Sequence, residues 1–352
     1  MKFDLNKIVR KSLKGIRPYS TARDDFKGTA SVYLDANENP FDTSYNRYPD
    51  PQQQPLKAAI ANIKGVTPEK IILGNGSDEV IDLLFRAFCE PATDNVIIPQ
   101  PTYGMYSVYA NVNDVSTKSP SLTETFDLDV DLIIKDIDAN TKLVFLCSPN
   151  NPSGNLLTEE KVKLILKSFN GLVVVDEAYI DFAKTDGFLP FLDQYPNLVV
   201  VQTLSKAWGL AGLRLGIGFA SEEIIQVLSQ IKPPYNISSV AQKIALEALG
   251  NSEAKEKWVT TLMTQREILT TKLLAFSFIK KVYRSDANFL LVKVDDAAHC
   301  YSYLTKRGII VRDRSSSRHC DNCLRISVGT PDENKILIDT LTEYEKSTVY
   351  RS

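Results

Sequence analysis

The chain has 352 residues, 43% hydrophobic and 24% charged, a globular balance whose length suggests about two domains. A formal net charge of -2 excludes the basic excess of a nucleic-acid binder. No apolar run approaches the ~20 residues that span a bilayer, and MKFDLNKIVRKSLKGIRPYS lacks the apolar centre of a secretory signal, so a soluble cytoplasmic protein is expected.

Residues 1 to about 45 carry little strand pattern. From about 68 to 220, short β-branched runs alternate with amphipathic segments. KIIL (Lys70 to Leu73), NVII (Asn95 to Ile98), KLVFLC (Lys142 to Cys147), LVVV (Leu172 to Val175) and LVVV (Leu198 to Val201) predict buried strands. Val162, Ile165, Leu166 and Phe169 fall on one helical face, with Thr158 placed to cap that helix and Gly171 to end it. Strand, helix, strand in this rhythm predicts an α/β domain around a mostly parallel sheet. Further on, NFLLVKV, AHCYSYLTKRG, CLRISVG and ENKILIDTLTEYEKS read strand, helix, strand, helix, a smaller α+β domain.

Five scattered cysteines do not form a disulfide framework. HCDNC, with His319, Cys320 and Cys323, lacks the second knuckle of a structural zinc site, so it reads as a loop carrying reduced thiols, and no metal is expected. Cys89 and Cys147 read as small core residues.

Ligands of open α/β sheets bind beyond the carboxyl ends of the strands. Beyond the five predicted strands lie GNGSDE (Gly74 to Glu79), PQPTYGMY (Pro99 to Tyr106), SPNNPSGN (Ser148 to Asn155), DEAYIDF (Asp176 to Phe182) and QTLSKAWGLAGLR (Gln202 to Arg214). Lys206 is isolated: no other lysine occurs between Lys184 and Lys232. Gly74 and Gly76 free the backbone where Ser77 and Asp78 open a helix, an N-terminus suited to an anion. The stretch matches neither G-x-x-x-x-G-K-[ST] nor G-x-G-x-x-G, which leaves a nucleoside triphosphate or dinucleotide unsupported. Taken singly, Asp176 could cap or pair, Tyr103 could be a core aromatic, and Asn151 could be a turn former. Taken together, an anion site, an acid, an aromatic, an amide and a lone lysine describe a phosphorylated, cationic, planar heterocycle bearing an aldehyde.

SPNNPSGN, DEAY and SKAWGLAGLRLG resemble, in order and spacing, the class I/II aminotransferases of the fold-type I enzymes that use pyridoxal 5'-phosphate (PLP). The resemblance implies a large domain with a mostly parallel sheet (46-270), a C-terminal small domain (271-352), and an N-terminal segment (1-45) completing the small domain and making dimer contacts. It implies that Lys206 bonds the cofactor aldehyde and moves the substrate proton, and that Asp176 holds the ring nitrogen. Tyr179 and Asn151 would bond the phenolic oxygen, and Tyr103 would stack on the ring. Gly76, Ser77, Asp78, Thr203, Ser205 and Arg214 would hold the phosphate.

A narrower resemblance, to the histidinol-phosphate aminotransferase branch, runs through RPY (Arg17 to Tyr19), LDANENP, RYPDPQ, GNGSDEVIDLLFRAFCEP, PTYGMY, DEAYIDF and CLRISVGT. It implies amino transfer between L-glutamate and imidazole-acetol phosphate, giving L-histidinol phosphate and 2-oxoglutarate. It also implies a homodimer in which Tyr48 reaches the partner's cofactor, with Tyr19, Asn37, Arg312 and Arg325 lining the substrate site. Arg325 is the stronger of the two arginines, since a strand arginine flanked by apolar residues is costly without an anion. Arg314 and Arg318, in the following loop, read as a solvated basic surface. A PLP-dependent threonine-phosphate decarboxylase or an aromatic aminotransferase would share the cofactor residues.

Overall fold

The computed structural model describes residues 3–16, 28 and 30–349. Its larger sheet has seven strands: β1 (Ile71–Asn75), β2 (Asn95–Ile97), β3 (Ser116–Lys118), β4 (Thr141–Cys147), β5 (Leu172–Asp176), β6 (Leu198–Thr203) and β7 (Leu215–Phe219). Their order is β1-β7-β6-β5-β4-β2-β3, and only β7 runs antiparallel to its neighbours. Alternate residues of the central strands feed two cores. Val144, Leu146, Val173, Val175, Leu198 and Val200 face one side, and Leu143, Phe145, Leu172, Val174, Val199 and Val201 the other. Burial on both faces is why these strands read as unbroken apolar runs.

The first face is covered by helices Gln54–Lys64, Glu159–Ser168 and Ser239–Leu249. The second is covered by Ser77–Phe88, Met105–Val112 and Glu222–Ile231. The helix Glu159–Ser168 buries Val162, Ile165 and Leu166, as their spacing predicts. Its caps differ from expectation. Thr158 occupies the N-cap position, but its hydroxyl donates to Asp127 at 2.8 Å instead of accepting from the helix, and the helix ends before Gly171. Gly171 is required for a different reason: a Cβ there would lie 2.4 Å from the Lys142 carbonyl oxygen.

Strands β3 and β7 have no counterpart among the predicted ones. In β7, Gly216 and Gly218 dilute the β-branched pattern. A Cβ on Gly216 would stand 2.0 Å from the Ser77 nitrogen, so the glycine is what lets β7 lie against the turn that opens the next helix.

A second sheet, all antiparallel, contains β8 (Ile279–Val282), β9 (Phe289–Val294), β10 (Arg312–Asp313) and β11 (Cys323–Ser327) in the order β10-β11-β9-β8. Helices Ala297–Lys306 and Pro331–Val349 and the end of Ser252–Leu273 cover it, over a separate core with Phe278, Leu290, Leu324 and Tyr344. The predicted strand, helix, strand, helix order is present, with β8 and the two-residue β10 in addition.

The N-terminal segment departs from expectation. Ile8 is buried in the larger sheet's second core, with Phe3, Leu5, Val9 and Leu13 packed against it, and the Arg10 amide donates to the Ala87 carbonyl. Residues 3–13 therefore join the larger unit and not the smaller one, because their apolar residues find a face of the helix Ser77–Phe88. Cys320 and Cys323 are free thiols buried in the core, Cys320 in the loop before β11 and Cys323 at the start of that strand. Among the described residues, no helix is long and apolar enough to cross a membrane.

Candidate functional site

The carboxyl ends of the parallel strands open onto a cavity of about 140 Å³. Ser77, Asp78, Tyr103, Asn151, Asp176, Tyr179, Thr203, Ser205, Lys206 and Arg214 all border it, so loops far apart in sequence meet at one edge of the sheet.

Asp176 ends β5 and is 4% exposed. The Tyr106 hydroxyl donates to its Oδ2 at 2.6 Å, and the Ala178 amide donates to its Oδ1 at 3.0 Å. Burial raises its pKa above the ordinary carboxylate value, while these two donors and Lys206 favour the charged form. Tyr106 lies in the PTYGMY motif, where nothing in the sequence marks it for a role. A fully buried tyrosine on a helix looks like core in sequence, and only the fold brings it to an acid 70 residues away.

Lys206 follows β6 by three residues. Part of Lys206 is exposed, but its Nζ is turned into the site, 5.5 Å from the centre of the Tyr179 ring. Its pKa is lowered, first by burial of the ammonium group and then by the charge of Arg325, with Arg214 adding to the effect and Asp176 and Asp78 opposing it. A larger fraction of its amine is therefore unprotonated than in an ordinary lysine. The turn before it is closed by the Thr203 hydroxyl, which donates to the Leu215 carbonyl at 3.2 Å and accepts from the Ser205 amide at 3.1 Å.

The glycine turn after β1 delivers the helix Ser77–Phe88 with its amino end at the cavity. Gly76 sits at φ 80°, a conformation glycine adopts freely, and its amide donates to the Arg214 carbonyl at 2.9 Å. A Cβ there would lie 2.4 Å from Arg214 Nη2, so the missing side chain is the space the guanidinium occupies. Arg214 is itself left-handed, at φ 54°, and its Nη2 lies 3.7 Å from Asp78. The Asp78 carboxylate also accepts the Tyr103 hydroxyl at 3.1 Å, which leaves its backbone N–H, and not its acid, for an anion.

Tyr179 is 8% exposed, and burial raises its pKa. Asn151, also buried, accepts a 2.5 Å hydrogen bond from Arg325 Nη1. Arg325 therefore reaches from the second sheet to the rim of the cavity, where burial lowers its pKa. Its register partner across the sheet is Arg312, which is exposed. Like charges placed opposite each other destabilise a strand pair unless an anion lies between or beside them. The basic loop is not simply solvated. Arg314 Nε is buried without a hydrogen-bond partner, and Arg318 donates to the Ser119 carbonyl and the Ser121 hydroxyl.

Two expected residues, Asn37 and Tyr48, do not border the cavity. Tyr19 falls outside the described residues. Asn37 is exposed at φ 53°. Tyr48 stacks on Tyr235, ring centres 4.4 Å apart, and is half exposed. Among the described residues, no group of three or more His, Cys, Asp or Glu could hold a metal ion.

The family model for aminotransferase class I and II matches residues 27–341. The histidinol-phosphate aminotransferase of Cytophaga hutchinsonii is 53% identical over 348 residues, 98% of this chain and 100% of the relative. Among solved structures, the histidinol-phosphate aminotransferase from Clostridium acetobutylicum matches with a TM-score of 0.79 at 26% identity, covering 86% of this chain and 92% of that one. The Sinorhizobium meliloti histidinol-phosphate aminotransferase in complex with pyridoxal-5'-phosphate gives 0.78 at 23% identity, over 86% of this chain and 84% of that one, a likeness of fold.

Proposed function

The chain belongs to the class I and II aminotransferases, which use PLP, and from that premise we propose that it is a histidinol-phosphate aminotransferase of histidine biosynthesis. It transfers an amino group between L-glutamate and imidazole-acetol phosphate, giving L-histidinol phosphate and 2-oxoglutarate. The observation that carries this is one cavity holding a pKa-lowered Lys206, a buried Asp176 and, at its rim, Arg325, in a chain about half identical over its length to relatives of that name.

The residues present fit PLP. A carboxylate this deeply buried needs a cationic partner beyond Lys206, and a protonated ring nitrogen supplies one. The space left by the absent Gly76 Cβ, the amino end of the helix and Arg214 suit a phosphate. When bound, PLP supplies an aldehyde for the substrate amine and a ring that accepts the electron pair left at Cα.

The chain's own residues would take the following parts. Asp176 would hold the ring nitrogen in its protonated form, and Tyr179 and Asn151 would hold the phenolic oxygen. Tyr103 would pack against the ring. Gly76, Ser77 and Asp78 through their backbone, with Thr203, Ser205 and Arg214, anchor the phosphate. Lys206 would hold the cofactor aldehyde, and its amine, with its lowered pKa, would carry the proton at the substrate Cα. Arg325 takes the carboxylate of glutamate or the phosphate of the other substrate, both suited to a guanidinium fork. Arg312, opposite Arg325 across the strand pair, would add a second cation on the substrate side.

The stretch 32–48 supports a homodimer: Val32, Leu34, Phe41, Tyr45 and Tyr48 are all exposed, an apolar run of the kind a second copy covers. Tyr48 then serves the partner's phosphate site. Residues 46-270 would form the cofactor domain and 271-352 the smaller one, a reading supported by the core under the second sheet, although Leu291, Cys320 and Cys323 pack into the larger core. The five free cysteines support a reducing, cytoplasmic location.

A half-reaction tests the function. Adding L-histidinol phosphate to the PLP-loaded protein without a keto acid should convert the cofactor to its amino form, read by absorbance, and 2-oxoglutarate should reverse it. A spectrum indifferent to histidinol phosphate but responsive to threonine phosphate would overturn the substrate assignment and leave the cofactor chemistry standing.

A further inference from the structure

Tyr106 lies on the helix Met105–Val112 and is wholly buried. Its ring stacks on Phe145 of β4, centres 5.0 Å apart, and meets Tyr103 edge-on at 5.4 Å. Packing would be met equally well by phenylalanine, which neighbouring Phe85 and Phe145 already use. What the hydroxyl adds is one hydrogen bond, 2.6 Å long, to a buried carboxylate, within the short range of a charge-assisted bond. Ring packing prevents the hydroxyl from swinging aside. With the Ala178 amide on Oδ1, each oxygen of Asp176 has one fixed donor from the protein.

We propose that Tyr106 is a positioning residue for Asp176: its hydroxyl fixes the carboxylate's orientation and keeps it ionised toward the cavity. This rests on the reading above that Asp176 meets the ring nitrogen. The groups around Asp176 do not supply the effect unaided. Lys206 favours the anion, but Asp78 opposes it, while burial pushes Glu177, Cys147, Tyr103 and Tyr179 toward their neutral forms. Of the influences favouring ionisation, the Tyr106 bond is the largest.

The test titrates the Asp176 side-chain carboxyl by carbon-13 NMR in the full-length chain stripped of cofactor, its signal assigned by its loss in Asp176→Asn. In Tyr106→Phe the midpoint should rise by about one to two pH units, the worth of a hydrogen bond to a charged group. With 3-fluorotyrosine at position 106, a stronger donor, it should fall. A packing role alone would not move the midpoint in opposite directions. An unchanged midpoint in both proteins overturns the proposal, and if Tyr106→Phe does not fold, the fluorinated protein decides alone. A midpoint that moves while the nitrogen-15 signal of bound PLP does not would support the Tyr106–Asp176 coupling and overturn the placing of Asp176 at the ring.

Discussion

Glu177, next to Asp176, offers a quantitative check on how the strand ends are held. It is 1% exposed and points away from the cavity that Asp176 borders. Its Oε1 accepts the Phe188 amide at 2.5 Å, and its Oε2 accepts from Gln202 Nε2 at 2.9 Å. The loop before Phe188 can close over it only because position 187 is glycine: φ is 67°, and a Cβ would lie 2.2 Å from Glu177 Oε1. Burial is the largest influence and raises the carboxyl's pKa from 4.5 to about 7, with Asp176 adding to it and Phe188, Gln202 and Lys64 opposing.

The sign follows from proton binding. Between about pH 4.5 and 7 the folded chain keeps a proton here that the unfolded chain has released, so stability contributed by this group falls as pH rises through that window. The full difference is about 3 kcal/mol, of which about 2–3 kcal/mol falls between pH 5 and 8. Glu177→Gln removes the titration and keeps both contacts if the Gln202 amide turns over, since the new amide oxygen accepts from Phe188 and its NH2 donates to Gln202. Urea unfolding of both proteins at several pH values is the assay, because taking their difference cancels every other titrating group. The variant should gain about 2–3 kcal/mol on wild type from about pH 5 to pH 8. Parallel stability curves would refute the reasoning and place the carboxylate in an environment far more polar than its burial implies.

Three further predictions address the cavity itself. Borohydride should fix PLP covalently to the wild-type chain but not to Lys206→Ala, which should also lose activity; labelling of another lysine would remove Lys206 from its role. Gly76→Ala forces a side chain into a left-handed position against Arg214, so the PLP dissociation constant should rise by about tenfold or more in a fluorescence titration, and an unchanged constant would detach the phosphate from this turn. Arg325→Ala should raise KM for glutamate by about 100-fold. It should also move the pH dependence of cofactor capture upward, because Arg325 is one of the charges that lower the Lys206 pKa; a KM effect with no pH shift would separate the two roles.

The elements that were legible in sequence share a physical origin. The central strands are buried on both faces, so Val173, Val174, Val199 and Val200 had to be apolar without alternation, and each run stood out. Lys206 stood out by isolation. Arg325 stood out because a guanidinium between Leu324 and Ile326 calls for a partner, and the structure supplies Asn151. What stayed hidden depends on contacts between distant residues. The pattern of β7 is broken by Gly216, whose reason is the backbone of Ser77, 139 positions earlier in the chain. Thr158 carries a cap's chemistry, but its hydroxyl is turned to donate to the Asp127 carboxylate and accepts nothing from the helix.

Tyr106 makes the limit clearest. Burial and helical position are the same for a tyrosine that fills space and for one that holds an anion. The distinction lies in where β5 ends relative to the helix Met105–Val112, whose Tyr106 stacks on Phe145 of β4, the strand paired with β5. Arg314 is the same problem with the sign reversed. Its charge suggested water, yet the fold buries its Nε beside two other arginines. A polar residue's neighbours in sequence limit what it can do, but its partners in space decide which of those things it does, and Asp176 has to find Tyr106 before either residue's function can be read.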